Sequence, residues 1–356
     1  MSRARDLADL GGSADAGGLT GRNLIINGTM TVAQRSTSAT GVAGYIAVDR
    51  FRCTGGADAV DQLSLTHAQV TDVPDGFANS YKITVSTPET ALAADEMIRI
   101  EHRMEGQNLQ HLKKGTSSAE AVTLSFWIKG SVTGTYIVNL HDTDNTRTIA
   151  ASYTINAANT WEYKTITFAG DTTGALDNDN AQSLSLYWYL GAGTNWTSGT
   201  LGTSWDAFTK ANVAVGQTDI LTTSGATWQI TGVQFEVGST ATDFEHETYA
   251  TTLRKCQRYF ELLGHATNAG SADTFSLMSL PFNGATNNQW TDIPFMVEKR
   301  AAPTSIVAFN GYTVPSATVI GFSTNGMTLY HSSQMYFTRA TGGSQGDAVA
   351  SVSAEL

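Results

Sequence analysis

Residues 121–130, AVTLSFWIKG, set Val122, Leu124, Phe126 and Ile128 against Thr123, Ser125 and Trp127. A period of two places the first group on one face of an extended chain and the second on the other, which is a strand with one buried face. The stretch 183–190, SLSLYWYL, repeats the alternation: Leu184, Leu186, Trp188 and Leu190 share one face, and Ser185, Tyr187 and Tyr189 share the other. YKITVS (81–86), TYIVNL (135–140) and WEYKTITF (161–168) are further β-branched and aromatic runs. In WQITGVQFEV (228–237) the apolar phase shifts from Trp228 and Ile230 to Val233, Phe235 and Val237, so Thr231-Gly232 reads as a β-bulge.

Strands this numerous, joined by Gly, Asn, Asp and Ser turns with no helix between them, predict an all-β chain. The expected architecture is an antiparallel jelly-roll β-sandwich over residues 23–245. One segment breaks the pattern. In ATDFEHETYATTLRKCQRYFELL (241–263), Tyr249, Leu253, Cys256, Phe260 and Leu263 fall in steps of four and three. That spacing is one face of a helix, and it predicts a short linking helix over 246–263 whose stripe packs on the sandwich or against its own copies. Residues 264–356 return to short β runs and form a smaller C-terminal β domain. Asn283-Gly284, Asn310-Gly311 and Asn325-Gly326 supply its hairpin turns.

The formal net charge is −11, and charged residues make up 15 % of the chain against roughly 25 % in ordinary soluble proteins. No Lys/Arg block is available for a phosphate backbone, so nucleic acid is not an expected partner. No run approaches the ~20 apolar residues of a membrane span, so membrane insertion is not expected either. The first 23 residues carry basic side chains without the apolar core of a signal peptide, and secretory export is not expected. Within them Leu7 and Leu10 are the large apolar residues of a short helical turn, so residues 1–22 read as a disordered tail or as a peptide that orders on a partner. The two cysteines, Cys53 and Cys256, cannot make a disulfide framework; they read as reduced and buried, with a single bridge between them left open. Cys256 has no histidine at helical spacing and reads as a packing residue.

Motifs of bond chemistry are sparse. The chain lacks a phosphate loop, a dinucleotide turn and a His-Glu-x-x-His zinc motif. Gly342-Gly343-Ser344-Gln345-Gly346 spells a nucleophile elbow but lies in a Gly/Ser-rich segment without the strand and helix that motif requires. Glu245-His246-Glu247 suits a helix start. Asp142 and Asp144, or Asp177 and Asp179, offer oxygen ligands for calcium, but neither run has the full spacing of a dedicated loop and ordinary Asx turns are the favoured reading. The loop 191–208, GAGTNWTSGTLGTSWDAF, holds Trp196 and Trp205 beside the strand that carries Tyr187 and Tyr189. These four aromatics are the candidates for stacking on a sugar ring; the alternative is that the tryptophans plug the loop or a subunit contact.

Asn23-Leu24-Ile25-Ile26-Asn27-Gly28, then Ala33-Gln34-Arg35 and Val48-Asp49-Arg50-Phe51, resembles the opening of a family of bacteriophage tail-fibre and virion appendage proteins. LSFWIKGS and TWEYKTITFAGDTTG resemble blocks of the carbohydrate-binding-module-like jelly roll those proteins carry. WQITGVQFEVGSTATDFEHETYATTLRKCQRYFE is similar to their signature of last strand, turn and short helix with a Cys-Gln-Arg-Tyr group. Arg300-Ala301-Ala302-Pro303-Thr304 and Ala354-Glu355-Leu356 are similar to their C-terminal domain, and SRARDLADL (2–10) to a virion-attachment peptide. The resemblance implies a homotrimeric, non-enzymatic virion structural protein assembled in the host cytoplasm. It would be anchored to other virion proteins through Leu7 and Leu10 and attach to host-surface glycan. A capsid-bound head fibre or decoration protein and a glycan depolymerase of the tailspike kind are the alternatives.

Overall fold

The computed structural model describes residues 21–55, 62–263, 274–275, 289–304, 306–308, 312–313, 318–331, 337–339 and 350–356. The chain divides into two compact units, Met1–Tyr249 and Ala250–Leu356. Leu7, Leu10, the Asn283-Gly284 and Asn310-Gly311 turns and the Gly342–Gly346 segment lie outside the described residues.

The first unit is an antiparallel β-sandwich. Its strands are β1 (Ser38–Thr40), β2 (Gly44–Tyr45), β3 (Phe51–Gly55), β4 (Ser64–Val70), β5 (Ser80–Thr87) and β6 (Met97–Glu105). They continue with β7 (Val122–Gly130), β8 (Gly134–Asp142), β9 (Arg147–Ile155), β10 (Glu162–Phe168) and β11 (Gln182–Ala192). A single helical turn, α1 (Thr194–Thr197), precedes β12 (Asp206–Ala207) and β13 (Thr227–Val237). One sheet runs β1-β4-β5-β13-β7-β10 and the other β12-β9-β8-β11-β6-β3-β2.

The predicted faces are the observed ones. Val122, Leu124, Phe126 and Ile128 of β7, and Leu184, Leu186, Trp188 and Leu190 of β11, all enter one core between the sheets. Trp188 is among its largest fully buried side chains. Phe126 meets it edge-on at 6.2 Å between ring centroids, and Phe51 lies 6.4 Å away. Burying side chains of this size stabilises the fold by about 1.5–3 kcal/mol each before entropy is counted.

The bulge at Thr231-Gly232 is also present: the β13–β7 register slips between Thr231 and Gln234, and Gly232 takes φ +60°. There is a structural use for it. The segment carrying Asn23–Gly28 runs beside the shifted strand, with Leu24 N donating to the Phe235 carbonyl and Val233 N to that of Gly28. A Cβ on Gly28 would lie 2.1 Å from the Val233 carbonyl oxygen, so only glycine allows the approach. Asn23 bridges Ile25 N, Phe235 N and the Val233 carbonyl. Asn27 donates to the carbonyls of Val32 and Asp49 and accepts from Val32 N. Asn23, Asn27 and Gly28 are therefore latches that close the segment before β1 onto β13.

The helix α2 (Tyr249–Gln257) opens at the unit boundary, and the second unit continues from it with β14 (Phe260–Leu263), β15 (Thr274–Phe275) and β16 (Gln289–Pro294). Then come β17 (Ile306–Ala308), β18 (Tyr312–Thr313), β19 (Thr318–Phe322), β20 (Gly326–His331), β21 (Phe337–Arg339) and β22 (Ala350–Ser353). Among the described residues they pair into three-stranded sheets, β14-β22-β17, β15-β21-β18 and β16-β20-β19. Asn325-Gly326 closes the β19–β20 hairpin, where Phe322 pairs with Met327.

The expected helix of 246–263 is corrected here. It ends at Gln257, and Phe260 and Leu263, expected on its stripe, are strand residues paired with Ser353 and Ala350. Of the remaining stripe, Cys256 is buried, Leu253 half-buried and Tyr249 exposed. Tyr259-Phe260 is an aromatic pair with strand preference, and a free strand edge overrides the four–three spacing. Three separated pieces meet at this point: Ala354 N donates to the Tyr259 carbonyl, Arg300 N to that of Arg258, and Arg300 Nη2 to that of Glu355. The Lys299 ammonium pairs with the buried Glu261 carboxylate. Cys53 and Cys256 are both buried free thiols. Glu245 does not cap α2; one carboxylate oxygen accepts from Asn23 N at 2.9 Å and the other from Gly21 N.

Candidate functional site

The four aromatics expected at a glycan platform are not exposed. Tyr187 and Tyr189 lie on the outer face of the second sheet, 5 % and 0 % exposed, in a cluster with Met97, Ile137, Ala150, Val213 and Ala214. Half-buried Trp196, Leu201 and Phe208 from the long loop pack over it. Trp196 donates its indole N–H to the Asp95 carbonyl at 2.9 Å, and the Lys210 ammonium sits 4.5 Å from its ring. Trp205 packs against the main core, donates to the Ala169 carbonyl at 2.7 Å and carries the Lys114 ammonium 5.2 Å from its ring. The physical reason is area. An outer face bearing two tyrosines and an isoleucine would be costly in water, and the loop's own apolar residues cover it. Both indole N–H groups are already satisfied by backbone.

On the other sheet one aromatic ring is exposed. Tyr163 of β10 stands directly opposite Trp127 of β7, with ring centroids 5.3 Å apart and an interplanar angle of 48°. Tyr163 is 45 % exposed. Trp127 is half-buried and is flanked on its other side by Phe77, because a Cβ on Gly232 would lie 3.1 Å from the Trp127 ring and 2.6 Å from that of Phe77. The bulge glycine is thus the floor on which both rings rest. Phe77 in turn meets Phe244 edge-on at 5.2 Å.

Polar groups border this strip. Trp161, two residues before Tyr163 and so ~7 Å along the same strand direction, donates its indole N–H to Asp72 at 3.3 Å. Lys129 pairs with Asp72 at 2.7 Å and lies 6.0 Å from the Trp161 ring. The hydrogen bond from Lys129 is the main reason the Asp72 carboxyl is held below its usual range, against the opposing effect of partial burial. Gln229, opposite Lys129 on β13, donates to the Asp72 carbonyl at 2.7 Å. The strip therefore offers flat apolar rings flanked by a carboxylate, an ammonium and an amide, the combination that grips the C–H faces and hydroxyls of a sugar. Alternation alone already placed Trp127 on the outward face. Its cross-strand partner and its exposure depend on pairing between residues distant in sequence.

The aspartates considered as calcium ligands are otherwise engaged. Asp142 is paired to the buried ammonium of Lys114, which also lies 3.0 Å from Asp171 and donates to the Gly174 carbonyl at 2.8 Å. That ammonium fills the position where a cation would neutralise these oxygens. Asp144 accepts from Asp177 N, and Asp179 accepts from Ala181 N, both loop-closing contacts. Among the described residues there is no group of three or more His, Cys, Asp or Glu able to hold a metal.

No family model matches the chain, and no curated protein does. Solved structures do overlap it. The enzymatically active domain of tailspike protein 4 from bacteriophage CBA120 is 13 % identical over 61 % of this chain and 21 % of that one, with a TM-score of 0.33. This chain therefore spans about a fifth of that tailspike chain. A family 4 carbohydrate-binding module is 12 % identical over 60 % of this chain and 99 % of its own, with a TM-score of 0.30. The family 11 module from Clostridium thermocellum, in complex with a mixed-linked tetrasaccharide, is 11 % identical over 54 % and 91 %, at 0.28.

Proposed function

We propose that this protein is a non-catalytic virion appendage that attaches to a host-surface glycan through its sandwich unit. The observation that supports the glycan reading most directly is the exposed Tyr163 ring paired with half-buried Trp127 beside Asp72 and Lys129. Burying the outward faces of both rings against a sugar would add about 0.5–1.5 kcal/mol per stacked aromatic. The phage reading rests on the sequence resemblance. It carries with it a homotrimer and attachment to other virion proteins through residues 1–22, and a head fibre or decoration protein is its nearest variant.

The test is to incubate purified full-length protein with host surface polysaccharide and to measure both retention and product length. Retention without shortening is expected. Shortening would place the protein among the depolymerases, and absence of retention would remove the glycan reading. A chain lacking residues 1–22 should fold yet be missing from particles, and sedimentation should give a mass of three chains.

A further inference from the structure

We propose a second, separate binding site on the opposite outer face of the sandwich, formed by Arg52, Arg99 and Arg103, for a saccharide that carries carboxylate groups. It does not depend on the aromatic strip.

Register sets the site out as a row. Arg52 of β3 stands opposite Glu101 of β6, Glu101 opposite Tyr187 of β11, and Tyr187 opposite Asn139 of β8. Arg99 and Arg103 flank Glu101 on the same face of β6, two residues to either side. The Glu101 carboxylate, fully buried, accepts from Arg99 Nε at 2.8 Å and from Arg103 Nε at 2.9 Å, with Arg103 Nη2 at 2.7 Å and Arg52 Nη1 at 3.5 Å. Burial alone would raise the Glu101 carboxyl; Arg99 and Arg103 outweigh it and hold the group ionised.

Three guanidiniums around one carboxylate leave an excess of positive charge in a chain whose net charge is −11. Glu105, the next outward residue on β6, accepts from Gln107, and counting it still leaves the face positive. His141 adds no charge near neutrality, because burial and the neighbouring Arg99 push it down to about 4.

The guanidiniums are also fixed in place. Arg99 lies 3.9 Å over the Tyr187 ring, and His141 stacks on the same ring at 5.5 Å and 29°. Glu101 engages Arg99 through its Nε, so the two terminal nitrogens of Arg99 are outside the carboxylate's grip. The three side chains keep 26 %, 13 % and 19 % of their surface, which puts them within reach of a ligand. A planar guanidinium already held at Nε matches carboxylate geometry and loses little entropy on binding.

The test uses the full chain with an oligogalacturonate, its neutral galactose counterpart, and inorganic phosphate, each followed by titration calorimetry. The oligogalacturonate should bind at least ten times more tightly than the neutral oligomer, and its affinity should fall with added salt. Arg103→Gln should cost tenfold or more. Because loss of Arg103 can unbalance Glu101, Arg52→Gln serves as the second variant; it should weaken binding several-fold with an unchanged melting temperature. Tyr163→Ala should leave oligogalacturonate binding intact, which separates this site from the aromatic strip. Equal affinity of the two oligomers, or full affinity in a folded Arg52→Gln protein, would make the arginine cluster a structural ion network only. Phosphate binding as tight as the oligogalacturonate would overturn the saccharide assignment.

Discussion

Trp127 and Tyr163 face each other across neighbouring antiparallel strands with ring centroids 5.3 Å apart, and Tyr163 keeps 45 % of its surface in water. A cross-strand aromatic pair stabilises a sheet by a few tenths to 1 kcal/mol wherever it lies. Leaving one of its rings this open forgoes much of the burial it could have, and that openness is what makes the pair a binding surface.

Tyr163→Ala should therefore separate binding from stability. Affinity for the host polysaccharide should fall several-fold to about tenfold, the equivalent of one lost aromatic stack. Stability should change by no more than about 1 kcal/mol, because the ring is half in solvent. Calorimetric titration and urea unfolding of the same preparation give both numbers.

Trp196→Ala and Trp205→Ala should behave in the opposite way. Each ring is packed under the loop with its N–H tied to a carbonyl, so truncation leaves a cavity and an unsatisfied acceptor. A loss of about 2–4 kcal/mol is expected for each, with glycan affinity retained by the folded fraction. A large affinity loss at unchanged stability would return these residues to the binding surface.

Gly232→Ala should damage both properties. The residue sits at φ +60°, where an L side chain is strained, and its Cβ would drive into the Phe77 ring. A cost of at least 1–2 kcal/mol is expected. Displacement of Phe77 and Trp127 should show as a change in near-ultraviolet circular dichroism.

Lys114→Ala should be strongly destabilising. It leaves Asp142 and Asp171 facing each other with Arg147, at 2.8 Å from Asp171, as the remaining cation beside them among the described residues. Removing one partner from a buried ion pair costs about 3–5 kcal/mol.

Stability should fall as the pH is lowered from about 6.5 towards 4. Burial pushes His67 down to about 4 and His102 down to about 3, so both are neutral in the folded protein. The unfolded chain takes up these protons near pH 6.5 and the folded chain does not, so acid favours unfolding across that window. Each histidine contributes up to about 1.4 kcal/mol per pH unit. Urea midpoints from pH 7.5 to 4.5 should follow this slope, and His67→Gln should flatten it.

The alternation in AVTLSFWIKG and SLSLYWYL determined the strands, their inward faces and hence the sandwich, because a period of two is a property of each segment taken alone. The phase shift at Thr231-Gly232 likewise marked the bulge. Local spacing failed at Phe260 and Leu263, where pairing with residues some ninety positions away outweighed a helical pattern. It also could not tell which outward aromatics stay in water. Tyr187 and Tyr189 share the outward face of their strand just as Trp127 does of its own, yet a loop closes over the first two, while a bulge glycine, Phe77 and a facing tyrosine leave the third half-buried. The fate of Asp142 was equally hidden, since its counter-ion lies 28 residues earlier on another loop. Sequence determined which faces are apolar. Tertiary structure decided which of them are covered, because covering is a contact between distant segments and the free energy of burial is settled only when they meet.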